Sequence, residues 1–159
     1  MTEKAVLTEE AILQHFKTWR SWVVGLVEKI PEERFDEIPE PFRNNIRWNA
    51  GHLVANLDSK LAWVLNEETT LPQVYLDYFD RGTSPEDWTD TPPNKEDILK
   101  QLQKQSEELE ARVLGKLDQP LPEDFIGMKT VAEALEFFTA HEAMHLTNIN
   151  TMRKMLKGS

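Results

Sequence analysis

From Thr8 onward the apolar residues Ile12, Phe16, Trp19, Val23, Leu26 and Ile30 recur every three or four positions, the period of one helical face. Thr8 can cap such a helix, and Glu9 and Glu10 suit the positive end of its dipole. The pattern predicts a first helix ending near Pro31. Residues 31–45 carry three prolines and many charges and read as a connection with room for a short helical turn. A second helix is expected from Asn45 to about Asn66, with two adjacent seams. One seam runs through Trp48, His52, Ala55, Ser59 and Ala62, and the other through Leu53, Leu57, Leu61 and Val64.

Residues 67–93 contain Pro72, Gly82, Pro85, Pro92 and Pro93 and read as a long crossing segment. Its aromatics Tyr75, Tyr78, Phe79 and Trp88 are expected to pin it to the helices. Extended chain covers roughly 3.3 Å per residue, so even a half-extended segment can return along a helix of ~30 Å and leave the second and third helices parallel. Asn94 caps the third helix, whose inner stripe is Ile98, Leu102, Leu109, Val113 and Leu117. After a turn at Gly127, the capping box Thr130 to Glu133 opens a fourth. Its seam of Val131, Ala134, Phe138, His141, His145, Asn148 and Met152 steps alternately by three and four. No stretch alternates with period two and no internal repeat is visible. The expected architecture is all-α, a four-helix bundle with long crossover connections, in a single domain over residues 1–159.

Composition narrows the chemistry. The formal net charge of -10 opposes binding to a phosphate backbone, so no nucleic-acid partner is expected. With no cysteine, disulfides, thiolate metal ligands and a cysteine nucleophile are all excluded. The first ten residues lack the basic start and apolar run of a secretory signal, and no apolar stretch approaches the roughly 20 residues that span a bilayer. The expectation is a cytoplasmic protein without a membrane partner. Self-association as a homodimer is also expected, with no interface specified.

The seam of the fourth helix carries the sharpest signal. Histidines at i and i+4 on one face stand roughly 6 Å apart at Cβ, so His141 and His145 can reach one ion at about 2.1 Å each. His52, on the inner seam of the second helix, is the candidate third ligand. The competing reading makes them hydrogen-bonded core residues, which for a side-by-side pair demands separate partners for several polar nitrogens. His15 lies on the flank of its helix and is assigned no role. The segment His141-Glu142-Ala143-Met144-His145 also matches H-E-x-x-H, the zinc-binding pair with a glutamate base. Against a peptidase, only fourteen residues follow His145, with no downstream histidine or glutamate as third ligand.

Arg47-Trp48-Asn49-Ala50-Gly51-His52-Leu53 resembles the W-x-x-G-H-L segment of the DinB/YfiT-like superfamily, and His141 to His145 resembles its C-terminal H-E-x-x-H segment. The resemblance implies a divalent metal, zinc or nickel, on His52, His141 and His145, with positions open to water or substrate. It further implies that the chemistry includes low-molecular-weight thiol transfer. After His145 the chain reads Leu146-Thr147-Asn148-Ile149, where members commonly have a basic residue followed by Gly-Gln, and Met144 stands where another histidine is common. The resemblance therefore does not carry over a substrate.

Around the three histidines, Glu142 lies about 100° from His141 on the helix and either reaches a bound water as a catalytic group or sits on the flank as a solvated charge. Asn49 and Asn148 are candidates for holding a ligand imidazole or a substrate, Asn148 equally for a polar plug. Trp48 is a candidate for the core or a pocket wall, and Gly51 is either a point of close helix approach or a small residue at a crossing. The expected function is a metal-dependent hydrolase or thiol transferase acting on a small electrophile. A noncatalytic metal or small-molecule binding module is the alternative, and a metallopeptidase a third.

Overall fold

In the computed structural model, which describes residues 5–157, the chain runs α1 (Glu9–Lys29), a 3-10 turn (Glu32–Arg34), α2 (Ile46–Leu65), α3 (Gln73–Phe79), a second 3-10 turn (Pro85–Asp87), α4 (Lys95–Val113), the strands β1 (Pro120–Phe125) and β2 (Met128–Thr130), and α5 (Val131–Lys157). The ends of the 1–159 span, including the first four residues read for a signal, lie outside the described residues. The long helices form where the periodicity places them, and their caps are the expected side chains. Thr8 Oγ1 accepts from the Ala11 amide, Asn45 Oδ1 from Trp48, Asn94 Oδ1 from Asp97 and Thr130 Oγ1 from Glu133. Each satisfies a backbone donor that its helix leaves unpaired.

α1 and α2 each pack on both α4 and α5, so the four long helices form an all-α bundle in which α1 faces α2, and α4 faces α5, across diagonals. Paired residues give the directions. Val54 bonds Gln105 and Asp58 meets Arg112, so α2 and α4 run parallel. His15 meets Glu136 and Arg20 meets Glu142, so α1 and α5 run parallel. His52 meets His141 and Asn49 meets His145, which sets the α2 and α5 directions opposite. The parallel α2 and α4 require the long crossing that the sequence predicts. The crossing contains α3, an element the sequence reading treats as irregular; Tyr75 and Phe79 are buried in the core, and Tyr78 and Trp88 pack against it.

The crossing also explains why α2 is buried on every side from Ile46 to Asp58 rather than along two seams. Gly51 makes this possible: a Cβ there would stand 2.5 Å from the Phe79 ring, so only glycine admits α3 at this height.

A small two-stranded element stands beside the helices of this all-α fold. Residues 120–130 form an antiparallel hairpin, although no period-two alternation marks it. Neither strand buries a face, and Pro120 and Pro122 occupy β1, so the alternation that betrays a half-buried strand never arises. Ile126 and Gly127 form the tip, both at positive φ (52° and 78°), as in a type I′ turn.

The apolar core falls into two clusters. One gathers Val23, Leu53, Leu102 and Ile149, the other Phe16, Leu57, Leu109 and Phe138. Between these levels each long helix contributes polar residues: Arg20 on α1, His52 and Asn56 on α2, Gln105 on α4, and His141, Glu142 and His145 on α5.

Candidate metal centre

The polar layer contains the three histidines. Antiparallel packing of α2 on α5 brings His52 against the i, i+4 pair of α5, so that His141 Nε2 lies 3.3 Å from His52 Nε2 and 3.1 Å from His145 Nε2. Among the described residues the three form a group able to hold a metal ion. Imidazole nitrogens at about 2.05 Å from one ion, arranged tetrahedrally, stand about 3.3 Å apart. The two short separations fit that geometry.

Hydrogen-bond partners fix which nitrogens face inward. His52 Nδ1 donates to the Phe79 carbonyl at 2.6 Å. His145 Nδ1 donates to Asn49 Oδ1 at 2.8 Å, because the Asn49 amide is itself spent on Asn44 and the Asn45 carbonyl. Both rings therefore direct an Nε2 lone pair at His141. His141 has one Nε2, and a single proton on it can serve only one of those lone pairs. Three ring nitrogens sharing at most one proton is an arrangement that suits a cation, and the donor set, three neutral imidazoles, suits a divalent transition metal. Asn56 completes the frame: its amide lies 3.4 Å from His141 Nδ1. A ligating His141 carries its proton on Nδ1, so Asn56 then presents Oδ1, the other face of the same amide.

Burial holds the rings neutral. It is the largest cause lowering the pKa of His52, of His141 to about 4, and of His145 to about 3; at His141 the His52, Lys60 and Arg20 charges add to it, and at His145 the other two histidines do. Neutral imidazole is the ligating form.

Trp48 stacks on His52, centroids 4.5 Å apart and planes 9° off parallel, and its Nε1 donates to Thr83 Oγ1. The histidines open onto a pocket of about 440 Å³, of small-molecule size. Trp48, Asn56 and Lys60 line it from α2, with Phe125 and Ile126 from the hairpin and Phe137 and Phe138 from α5. The α2 contributors follow one row at four-residue spacing, 48, 52, 56 and 60.

The other expected residues separate. Asn49 touches His145, whereas Asn148 reaches, among the described residues, Asn49 at 3.5 Å and none of the three histidines. His15 is half exposed and meets Glu136. Glu142 takes neither of its expected positions. It is 2% exposed, and its two oxygens accept from Nε and Nη2 of the fully buried Arg20. Arg20 Nη1 reaches the Leu102 carbonyl and Gln105, and Gln105 in turn bonds the Val54 carbonyl. The glutamate is turned into the bundle, and it does not line the pocket. The sequence reading missed Arg20, Gln105 and Asn56. Asn56 was findable, lying one turn beyond His52 in the same row. Arg20 was hidden by taking Trp19 as the buried position, where the buried stripe actually runs Phe16, Arg20, Val23.

The profile of the DinB superfamily matches residues 15–149, most of the chain, and the protein belongs to that superfamily. No curated protein matches it.

Proposed function

We propose that this member of the DinB superfamily is a metal-dependent enzyme in which His52, His141 and His145 hold one divalent cation, zinc or nickel. A small electrophile reacts in the adjoining pocket, by hydrolysis or by transfer of a low-molecular-weight thiol. The observation that carries this reading is the set of three Nε2 atoms, two of them fixed as acceptors, facing one another at the wall of a pocket. A cation held there supplies a Lewis acid that favours the deprotonated form of a water or thiol. The chain's own residues orient and protect it: Phe79 and Asn49 hold two imidazoles by their Nδ1 protons, and Trp48 covers the face of His52. Because the chain has no cysteine, a reacting thiol comes with the substrate.

A noncatalytic metal module calls for a fourth protein ligand or a sealed core. Among the described residues no fourth histidine, cysteine or carboxylate joins the group, and the pocket beside it favours the catalytic reading. A peptidase needs Glu142 at the metal, where its carboxylate is instead engaged by Arg20. The test is metal content by elemental mass spectrometry on untagged protein beside a His52→Ala, His141→Ala, His145→Ala variant, followed by a thiol-transfer assay. About one metal per chain, lost in the variant, is expected; a variant with undiminished metal refutes the site.

A further inference from the structure

The walls of the pocket carry charge of one sign only. In a chain with 28 acidic and 18 basic residues, no aspartate or glutamate among the described residues lines it, while Lys60 and Arg81 both do. The two arrive from different elements: Lys60 closes the row of α2 that begins at Trp48, and Arg81 follows α3 in the loop pinned by the bond from Trp48 to Thr83. Neither side chain has a carboxylate within 4.0 Å among the described residues, although Arg20, Arg47 and Arg112 all do. Asp80 stands next to Arg81 in sequence, but it is outside the pocket wall and its Oδ1 accepts from the Arg81 amide. The charge of Lys60 is felt at His141 with no carboxylate opposing it, whereas at His52 the charge of Asp80 outweighs it. Away from the two cations, the histidines and the Trp48 and Asn56 side chains, the wall is apolar: Phe125, Ile126, Phe137 and Phe138. A pocket with two unneutralised cations, an apolar side and a set of cation-seeking nitrogens selects for a particular kind of molecule.

We propose that the pocket takes a small organic acid whose carboxylate is held by Lys60 and Arg81, with its carbon skeleton against the four apolar residues and its reacting atom toward the histidines. This deepens the reading of the pocket as a metal-dependent site and rests on it for the last point alone. The two cations are specificity-determining residues. They give an acidic protein a local attraction for an anionic substrate that the bulk of its surface repels.

The test compares 3-phenylpropionate with its neutral isostere 3-phenylpropionamide by isothermal titration. Both are titrated into metal-free and zinc-loaded protein, with metal content measured separately. The acid is expected to bind at least tenfold more tightly than the amide in both forms, with the preference shrinking as salt is raised. A Lys60→Gln, Arg81→Gln variant should lose most of the preference while keeping its metal content and thermal midpoint, and Lys60→Arg with Arg81→Lys should restore it. Equal binding of acid and amide, failure of both to bind, or a preference untouched in the double glutamine variant overturns the proposal. If the preference survives in the metal-free protein but no zinc is retained, the organic-acid site stands and the metal reading fails.

Discussion

Two polar groups meet in the middle of the bundle, adjacent on α5, and they are built in opposite ways. Glu142 and Arg20 form a closed group: both carboxylate oxygens and the guanidinium nitrogens have partners, and the chain of bonds continues through Gln105 to the backbone of α2. The histidine group is held as firmly from behind, but in front it presents three Nε2 atoms that cannot all be satisfied by one another. Complete pairing makes a buried charge a tie between helices. Incomplete pairing, maintained by outer hydrogen bonds and opened to a pocket, makes a binding site. The motif H-E-x-x-H thus divides between the two groups, its histidines in one and its glutamate in the other.

The largest effect expected is on the closed group. Glu142→Ala leaves Arg20 charged and buried without its carboxylate, and should cost about 3–5 kcal/mol in denaturant unfolding, with Arg20→Ala costing a similar amount. An apolar Arg20→Met, Glu142→Leu pair should lose much less than either single change. His141→Ala should do the reverse, abolishing metal binding with the fold intact. A Glu142→Ala protein of unchanged stability that no longer holds metal would merge the two groups and break the comparison.

Acid separates them next. In the metal-free protein the buried histidines have lowered pKa values, so between pH 6.5 and about 4 the unfolded chain binds protons that the folded chain does not. Stability is therefore fully present above pH 6.5 and falls as the pH drops, by about 2 kcal/mol for each of His141 and His145 by pH 5. Urea unfolding across this window should show the decline, and replacing all three histidines by glutamine should flatten it.

The boundary between the two groups is also the boundary of what the sequence made readable. The four long helices were legible because each carries a seam at helical period between capping residues, as at Thr8 and Asn94. The three histidines were legible because the pair on α5 has ligand spacing and His52 falls on an inward seam. Glu142 was not, since a position 100° from one ligand says nothing about what stands opposite, and its partner Arg20 lies more than a hundred residues away on α1. The hairpin escaped because it buries neither face, and α3 because seven residues between prolines are too short for periodicity to show. Both elements help to make the pocket: Phe79 of α3 anchors His52, and Phe125 of β1 forms part of the wall.

Smaller effects probe the open group itself. Zinc at a hundred times its dissociation constant should raise unfolding free energy by about 2.7 kcal/mol in the parent and by nothing in His141→Ala. Removing an outer partner should lower affinity: Asn49→Ala and Asn56→Ala are each expected to weaken metal binding by roughly 10–100-fold in a chelator competition. Asn56→Asp is the discriminating change. A carboxylate can only accept, which is what a ligating His141 requires of its neighbour, so affinity should hold or rise. A fall as large as that of Asn56→Ala would mean that the amide serves His141 as a donor and that His141 is not a ligand through Nε2.

The smallest effect lies at the rim, where the open group differs from the closed one in backbone as well as in bonding. Ile126 sits at φ 52° and is 71% exposed, a β-branched residue in a conformation that suits asparagine or glycine. Neither folding nor burial calls for isoleucine at this tip, but its side chain lines the pocket beside the histidines. Ile126→Asn creates the Asn-Gly pair that a type I′ turn prefers, and should stabilise the protein by roughly 1 kcal/mol. It should also weaken binding of ligands with an apolar skeleton severalfold, since it removes part of the apolar wall. Opposite signs in thermal unfolding and ligand titration would show strain retained for the sake of the pocket. A gain in stability with binding unchanged would leave the isoleucine outside the recognition surface and confine the open group to the histidines, the row on α2 and the phenylalanines.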